Sequence, residues 1–290
     1  MALRRLPVGR IAALAALLVA VLVLARGAPG PRWKALRPGL EFATLNGGAY
    51  CRRGSSQIAM LRLDPGRVQV RAHYYDQAPQ RRPMDIVEWR RVTGADAVFN
   101  AGQFLPDWSY MGLLVCGGHV VSQRLHPTFK AALVAGPFDA GSAARVLDLE
   151  SEPLDPDRLR WREVTQSFML FDRSGRIRVR HTDNVANRTA VGEDRRGRLV
   201  VFTTEGGYTL DDFARLIQKS PLQISHAMSM DGGNEAQLCV DAGGFRYASI
   251  GGMPRDTRAG DGAGAEVPLP AVISVSARCG RSAWRGSTAR

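Results

Sequence analysis

Cysteine is scarce in this chain: Cys51, Cys116, Cys239 and Cys279 are the only four in 290 residues, and their spacing resembles no zinc site. Four cysteines allow three disulfide pairings. The sequence leaves open both disulfides, which an oxidising compartment permits, and buried thiols in the strand-like text Leu113–Cys116 and Gln237–Val240. Nucleic-acid signatures are missing too, with no aromatic-interleaved basic run, zinc-finger spacing or helix-turn-helix pattern. No specific nucleic-acid partner is therefore expected, in spite of a net charge of +12. The excess is mostly scattered arginine, with Arg4, Arg5 and Arg10 near the start and Arg281, Arg285 and Arg290 near the end. It favours anionic partners such as phosphates and lipid head groups. Internal repeats are absent. With 45% hydrophobic and 23% charged residues, the body of the chain has a globular composition, which argues against disorder.

Long hydrophobic runs are limited to one, Ile11 to Ala25, behind the leading arginines. It falls short of the ~20 apolar residues of a membrane span and has the layout of an export signal. Residues 1–28 are read as an export signal or, if uncleaved, an N-terminal membrane anchor; no clean Ala-x-Ala site precedes Ala28. The expected location is the periplasm, or the inner membrane facing it. Residues 29–38 are read as a linker, 39–278 as one domain and 279–290 as a loose basic tail.

Within the domain the text is strand-rich. Ser56–Leu63 and Val68–Tyr74 flank Asp64-Pro65-Gly66 and read as a hairpin. Met84–Val92 reads as a helix ending at Gly94, and Ala97–Asn100 as a strand. Strands near Met111–Val115 and His119–Ser122 bracket Gly117-Gly118; Lys130–Val134 and Ser167–Phe171 follow, with Glu150–Arg162 between them as a surface excursion. Leu199–Thr204, a helix starting at Thr209 with Asp212 in a capping-box position, and Ala227–Met230 form a strand, helix, strand unit. A right-handed crossover of that kind predicts parallel pairing of its two strands. Arg255–Glu266 reads as a flexible loop and Ala271–Ser276 as the last strand. The expected class is α/β (α+β): a mixed, strand-rich sheet with a few packed helices, in a single domain.

The crossover places Asp231 at the C-terminal end of its strand, where open α/β sheets bind ligands. Gly232 and Gly233 follow, letting a ligand approach the main chain beside the carboxylate. The same residues also read as a tight hairpin, since Asp-Gly is a turn signal.

Five elements come in a definite order: Phe99-Asn100-Ala101-Gly102-Gln103-Phe104, Gly112-Leu113, Thr165-Gln166-Ser167, Asn187-Arg188-Thr189-Ala190-Val191-Gly192 and Met230-Asp231-Gly232-Gly233. That order resembles the phosphodiester glycosidase family, over about residues 39 to 275. Members include the uncovering enzyme of the mannose-6-phosphate pathway and bacterial envelope proteins linked to exopolysaccharide; the bacterial branch is the more similar. The resemblance implies hydrolysis of a sugar-1-phosphodiester, in an envelope or extracellular glycan. Such a substrate carries its own anionic leaving group. The site then needs a cationic pocket for phosphate and a carboxylate near the anomeric carbon.

Arg188 suits the first role, because its planar fork grips two oxygens. Asp231 suits the second, and Glu205, before Gly206-Gly207, suits a paired acid or base, with Glu235 as its alternative. Asn100 and Gln166 would read sugar hydroxyls, Gly102 would offer a free N–H, and Ser167, Gly232, Gly233 and Asn234 would complete the substrate site. Against these stand plainer readings: Arg188 pairing with Asp183, Glu205 as a solvated turn residue, and Asn100 capping a turn. No cofactor is expected. Calcium is conceivable at Asp231, Asn234 and Glu235, although the loop lacks the EF-hand pattern, and no metal ligands are assigned. The chain departs from the family text at Ala101, at Phe168-Met169 in place of Gly-Pro, and at Asn234-Glu235-Ala236 in place of a serine-rich run. Those departures also admit a catalytically silent glycan-binding or exopolysaccharide-assembly protein of the same fold.

Overall fold

A buried strand needs partners on both edges and cover on both faces, and three sheets supply these here. The computed structural model describes residues 30–139, 143–252 and 267–278. In chain order the strands and helices are β1 (Lys34–Arg37), β2 (Leu40–Asn46), β3 (Gln57–Leu63), β4 (Val68–Tyr74), α1 (Ile86–Thr93), β5 (Ala97–Asn100), β6 (Leu114–Cys116), β7 (His119–Ser122), β8 (Ala131–Pro137), β9 (Ala144–Asp148), β10 (Trp161–Ser167), β11 (Met169–Phe171), β12 (Thr189–Asp194), β13 (Leu199–Thr204), α2 (Leu210–Lys219), β14 (Ile224–Ser229), β15 (Leu238–Ala242), β16 (Phe245–Ser249) and β17 (Ala271–Ala277). They form a seven-stranded sheet ordered β1-β2-β3-β13-β12-β14-β11 and two five-stranded sheets, β7-β6-β10-β8-β9 and β16-β15-β5-β17-β4.

All three sheets turn one face to a shared core, in which Leu61, Phe99, Leu133, Val201 and Ile273 are buried together. Each outer face has its own cover. Phe213, Leu216 and Ile217 of α2 pack on Met60, Val200 and Phe202 of the seven-stranded sheet. Trp89 of α1 packs on Val98 and Val272, and its indole N–H donates to Leu269 O at 2.8 Å. Emptying a buried aromatic position of that size costs about 3–5 kcal/mol. The excursion after β9 covers the third sheet, with Leu154, Leu159 and Trp161 against Val115, Val134 and Val164.

Both helices begin where their caps predict. Asp85 accepts from Glu88 N at 2.7 Å, and Gly94 ends α1 in the left-handed region at φ 63°. Thr209 accepts from Asp212 N at 3.1 Å, while Asp212 itself bonds Arg52.

The strand-rich α+β class holds, but two pairings expected from the sequence do not. Strands β13 and β14 run the same way without touching, because β12 lies between them and is antiparallel to both; every strand pair among the described residues is antiparallel. The turn at Asp64 forms, with Arg67 N and Val68 N donating to Asp64 O. It does not make a hairpin: β2 and β13 already flank β3, and the turn passes the chain to another sheet, where β4 pairs with β17. Lys34–Arg37, read as linker, is β1 and pairs with β2. The leader, most of the Arg255–Glu266 loop and the basic tail from Cys279 lie outside the described residues. Cys51, Cys116 and Cys239 are free thiols, the latter two buried. Among the described residues no helix is long and apolar enough to cross a membrane.

Candidate functional site

Three neighbouring strands of the seven-stranded sheet bring the predicted charged residues to one edge. Glu205 follows β13, Arg188 precedes β12 and Asp231 lies just beyond β14, with Thr189 opposite Thr203 and Ala190 opposite Ser229. At a strand spacing of about 4.8 Å, Arg188 is one strand from each carboxylate residue, and Glu205 and Asp231 are roughly 10 Å apart at the backbone.

The Asp231 turn is fixed by main-chain bonds from two sheets. Met230 N donates to Thr189 O at 2.8 Å, Asp231 N to Ala101 O at 3.0 Å and Gly233 N to Asn187 O at 2.9 Å. Gly233 has φ +77°, and a Cβ on Gly232 would lie 3.0 Å from Asn187 O and 3.3 Å from Arg188 Nη1. The turn thus needs glycine twice, once for its dihedral and once for room. The Asp231 carboxyl is raised to about 7, chiefly because burial disfavours its charge and further because Glu235 is close; the Gly232 N–H, 2.8 Å away, and Arg188 oppose the shift. Burial also raises Glu235.

Arg188 is locked rather than free. Its Nε donates to Tyr208 O at 3.0 Å and its Nη2 to Asn184 O at 2.6 Å, and it makes no ion pair with Asp183. Nη1, beside Gly232, has no hydrogen-bond partner among the described residues. Beside it, Asn187 gives its Nδ2 to Thr204 O at 3.0 Å and leaves its buried Oδ1 unpaired.

Several residues expected to touch substrate are spent on the protein. Asn100 donates to Ala101 O and Asp231 O and accepts from Gln237 N, which makes it a bracket under the Asp231 turn. Gln166, 1% exposed, bonds Leu113 N and His126 N through Oε1 and His126 O and Phe129 O through Nε2, so no donor remains for a sugar. The Gly102 N–H is taken by the Tyr110 hydroxyl, which itself donates to Gln166 O. Ser167 donates to Gln103 Oε1 at 2.8 Å, and Gln103 Nε2 donates to Met230 O at 3.1 Å. Gln103, Tyr110 and Asn187 were not singled out from the sequence. Gln103 and Asn187 lie inside motif elements without an assigned role, and Tyr110 lies two residues before Gly112; that placement is their only sequence signal.

Glu205 is not a solvated turn residue. It accepts from Ser55, Gln57 and Tyr247 at 3.1, 2.6 and 2.8 Å. Asn234 is exposed, and its carbonyl accepts from Gln237 Nε2. Asp231 and Glu235 supply two carboxylates, but among the described residues no three His, Cys, Asp or Glu side chains are grouped to hold a metal ion.

A family model described as phosphodiester glycosidase matches residues 93–275. No curated protein matches the sequence significantly. Among solved structures, the catalytic domain of zebrafish N-acetylglucosamine-1-phosphodiester alpha-N-acetylglucosaminidase, auto-inhibited by its pro-peptide, superposes with a TM-score of 0.59 at 17% identity, over 88% of this chain and 91% of that one. A protein from Synechocystis gives 0.56 at 13% identity, over 87% of this chain and 64% of its own. At such identities the likeness is one of fold.

Proposed function

The chain belongs to the phosphodiester glycosidase family, and from that premise we propose that it hydrolyses a sugar-1-phosphodiester in an envelope or extracellular glycan after export. The observation that carries the reading is Arg188 held over Gly232 beside Asp231, with Nε and Nη2 committed to carbonyls and Nη1 unpaired. A guanidinium fixed in this way can bind a phosphate oxygen without losing side-chain freedom on binding. The unpaired Asn187 Oδ1 accepts a sugar hydroxyl next to it, which removes the cost of a buried acceptor left without a donor.

In this reading Asp231 acts as a carboxylate at the anomeric carbon. It takes a proton from the attacking water as the new C–O bond forms; the bond from carbon to the phosphate oxygen breaks, and the phosphomonoester leaves as an anion against Arg188. No strong general acid is required. Glu235, whose charge Asp231 feels, is its partner carboxylate, while Glu205 holds β13 to β16 through Tyr247. With Asp231 poised near 7, activity rises as pH increases through that value.

The test is release of sugar from a panel of synthetic sugar-1-phosphodiesters by the full-length protein. Turnover that is lost in a folded Asp231→Asn variant supports the reading. Folded wild-type protein that turns over nothing on the panel sinks it in favour of a silent glycan binder.

A further inference from the structure

A cavity of about 910 Å³ lies away from the Asp231 turn. It lies where the free edge of β4 faces β10, β6 and β8, and Arg71, Arg162 and Arg278 line it. None of the three makes an ion pair within 4 Å among the described residues, as about half of the described arginines do; Arg71 gives Nε and Nη2 to the Gln69 side-chain oxygen at 3.1 and 3.0 Å. Arg162 lies over the Phe138 ring, with 4.7 Å to its centroid, and Arg278 Nε bonds Val68 O.

The floor is a carboxylate. Glu163, 7% exposed, accepts Ala72 N at 3.1 Å and Gly117 N at 3.0 Å, both at Oε2. Oε1 makes no hydrogen bond to the described residues, so an accessible acceptor faces a cavity lined by cations. Burial and Arg71 hold His73 down to about 4, and it enters the same wall as a neutral ring bonded to Ser274.

We infer that this groove is a second carbohydrate site, taking an acidic sugar whose anionic group meets Arg71 and Arg162 while a hydroxyl donates to Glu163 Oε1. Cations alone would admit any anion, but an unpartnered acceptor among them is matched by a ligand carrying both a negative group and a hydroxyl donor. An acidic peptide adding as a strand to β4 is disfavoured. The outward N–H of Ala72, which such a strand would use, is already occupied by Glu163. The volume is that of an ordinary small-ligand site.

The experiment is equilibrium binding of trigalacturonate to the full-length protein, with maltotriose and inorganic phosphate as competitors. Saturable binding is expected, at least tenfold weaker in Arg71→Ala/Arg162→Ala, weakened in Glu163→Gln and retained in Asp231→Asn. The double arginine variant keeps full hydrolase activity, so failure of this site and failure of the hydrolase reading are separable. The inference is overturned by no saturable binding, by equal affinity for maltotriose, by displacement with phosphate at equal affinity, or by loss of binding in Asp231→Asn.

Discussion

Arg188 and Arg71 are both arginines near a carboxylate of elevated pKa, and they are held by different kinds of partner. Arg188 is half-buried and fastened by two carbonyls beside Asp231; Arg71 is exposed, lacks an ion pair, stands beside Glu163 and gives Nε and Nη2 to the side-chain oxygen of exposed Gln69 at 3.1 and 3.0 Å. The first arrangement costs side-chain freedom in advance and suits a reacting group that must be placed within a fraction of an ångström. The second is a tether to one exposed side chain two residues away, which yields more easily and suits reversible capture. On the two proposals made above, how firmly the guanidinium is held, more than its presence, would separate a reaction site from a binding groove.

The sharpest way to break the comparison is Asp231→Asn. It should reduce turnover by about 10³-fold or more, as loss of a principal catalytic group does. It should also raise stability in a pH-dependent way. The folded carboxyl keeps its proton up to about 7, whereas an ordinary one releases it near 3.8, so the native state loses stability as pH rises through that window. Asparagine removes that loss. Thermal melts should therefore show a gain at pH 8 and none at pH 3, where one kcal/mol corresponds to about 2–4 °C.

Arg188→Lys comes next. An ammonium cannot serve two carbonyls and a phosphate in the same plane, and a fall in kcat/KM of about 10²-fold is expected. Equal activity in the lysine variant would show that fastening is irrelevant. Gly232→Ala should cost about 1–3 kcal/mol by denaturant unfolding, because the new Cβ presses on Asn187 O. Activity should fall with it as Arg188 is displaced. Smallest in stability is Gln103→Ala, which removes the Ser167 and Met230 bonds for about 1 kcal/mol. A loss of kcat greater than the loss of stability explains would mark Gln103 as a positioning residue for the Asp231 turn.

Much of the Asp231 turn was legible in the sequence, because Asp-Gly-Gly at a strand end has few backbone solutions. Both helices were legible for a similar reason: Gly94 and Thr209 act locally, and local chemistry is what a sequence displays; the Asp85 cap, which starts α1 at Ile86 and not at Met84, was not read. The hairpin at Asp64 misled because a turn signal fixes a change of direction and not the sheet entered afterwards. That depends on which strand edges are already taken, here by β2 and β13. The parallel pairing failed likewise, since nothing near Leu199 or Ala227 reveals that β12 sits between them. The internal bonds of Gln166 and Gly102 were not legible for a third reason. A glutamine with four bonds to spend and one with all four spent look identical in sequence; the difference lies in carbonyls and amides around His126 and Phe129.

The position of β17 governs when this fold can form. It is the last described strand, yet it sits between β5 and β4, whose residues precede it by roughly 170 to 210 positions. While the chain emerges from the ribosome, β4 and β5 have no neighbour on those edges, and the cavity beside β4 has no Arg278. Closing contacts of such long sequence separation is slow, and it leaves apolar strand edges open in the meantime. Truncation before Ala271 should accordingly yield an aggregating chain rather than a smaller working one.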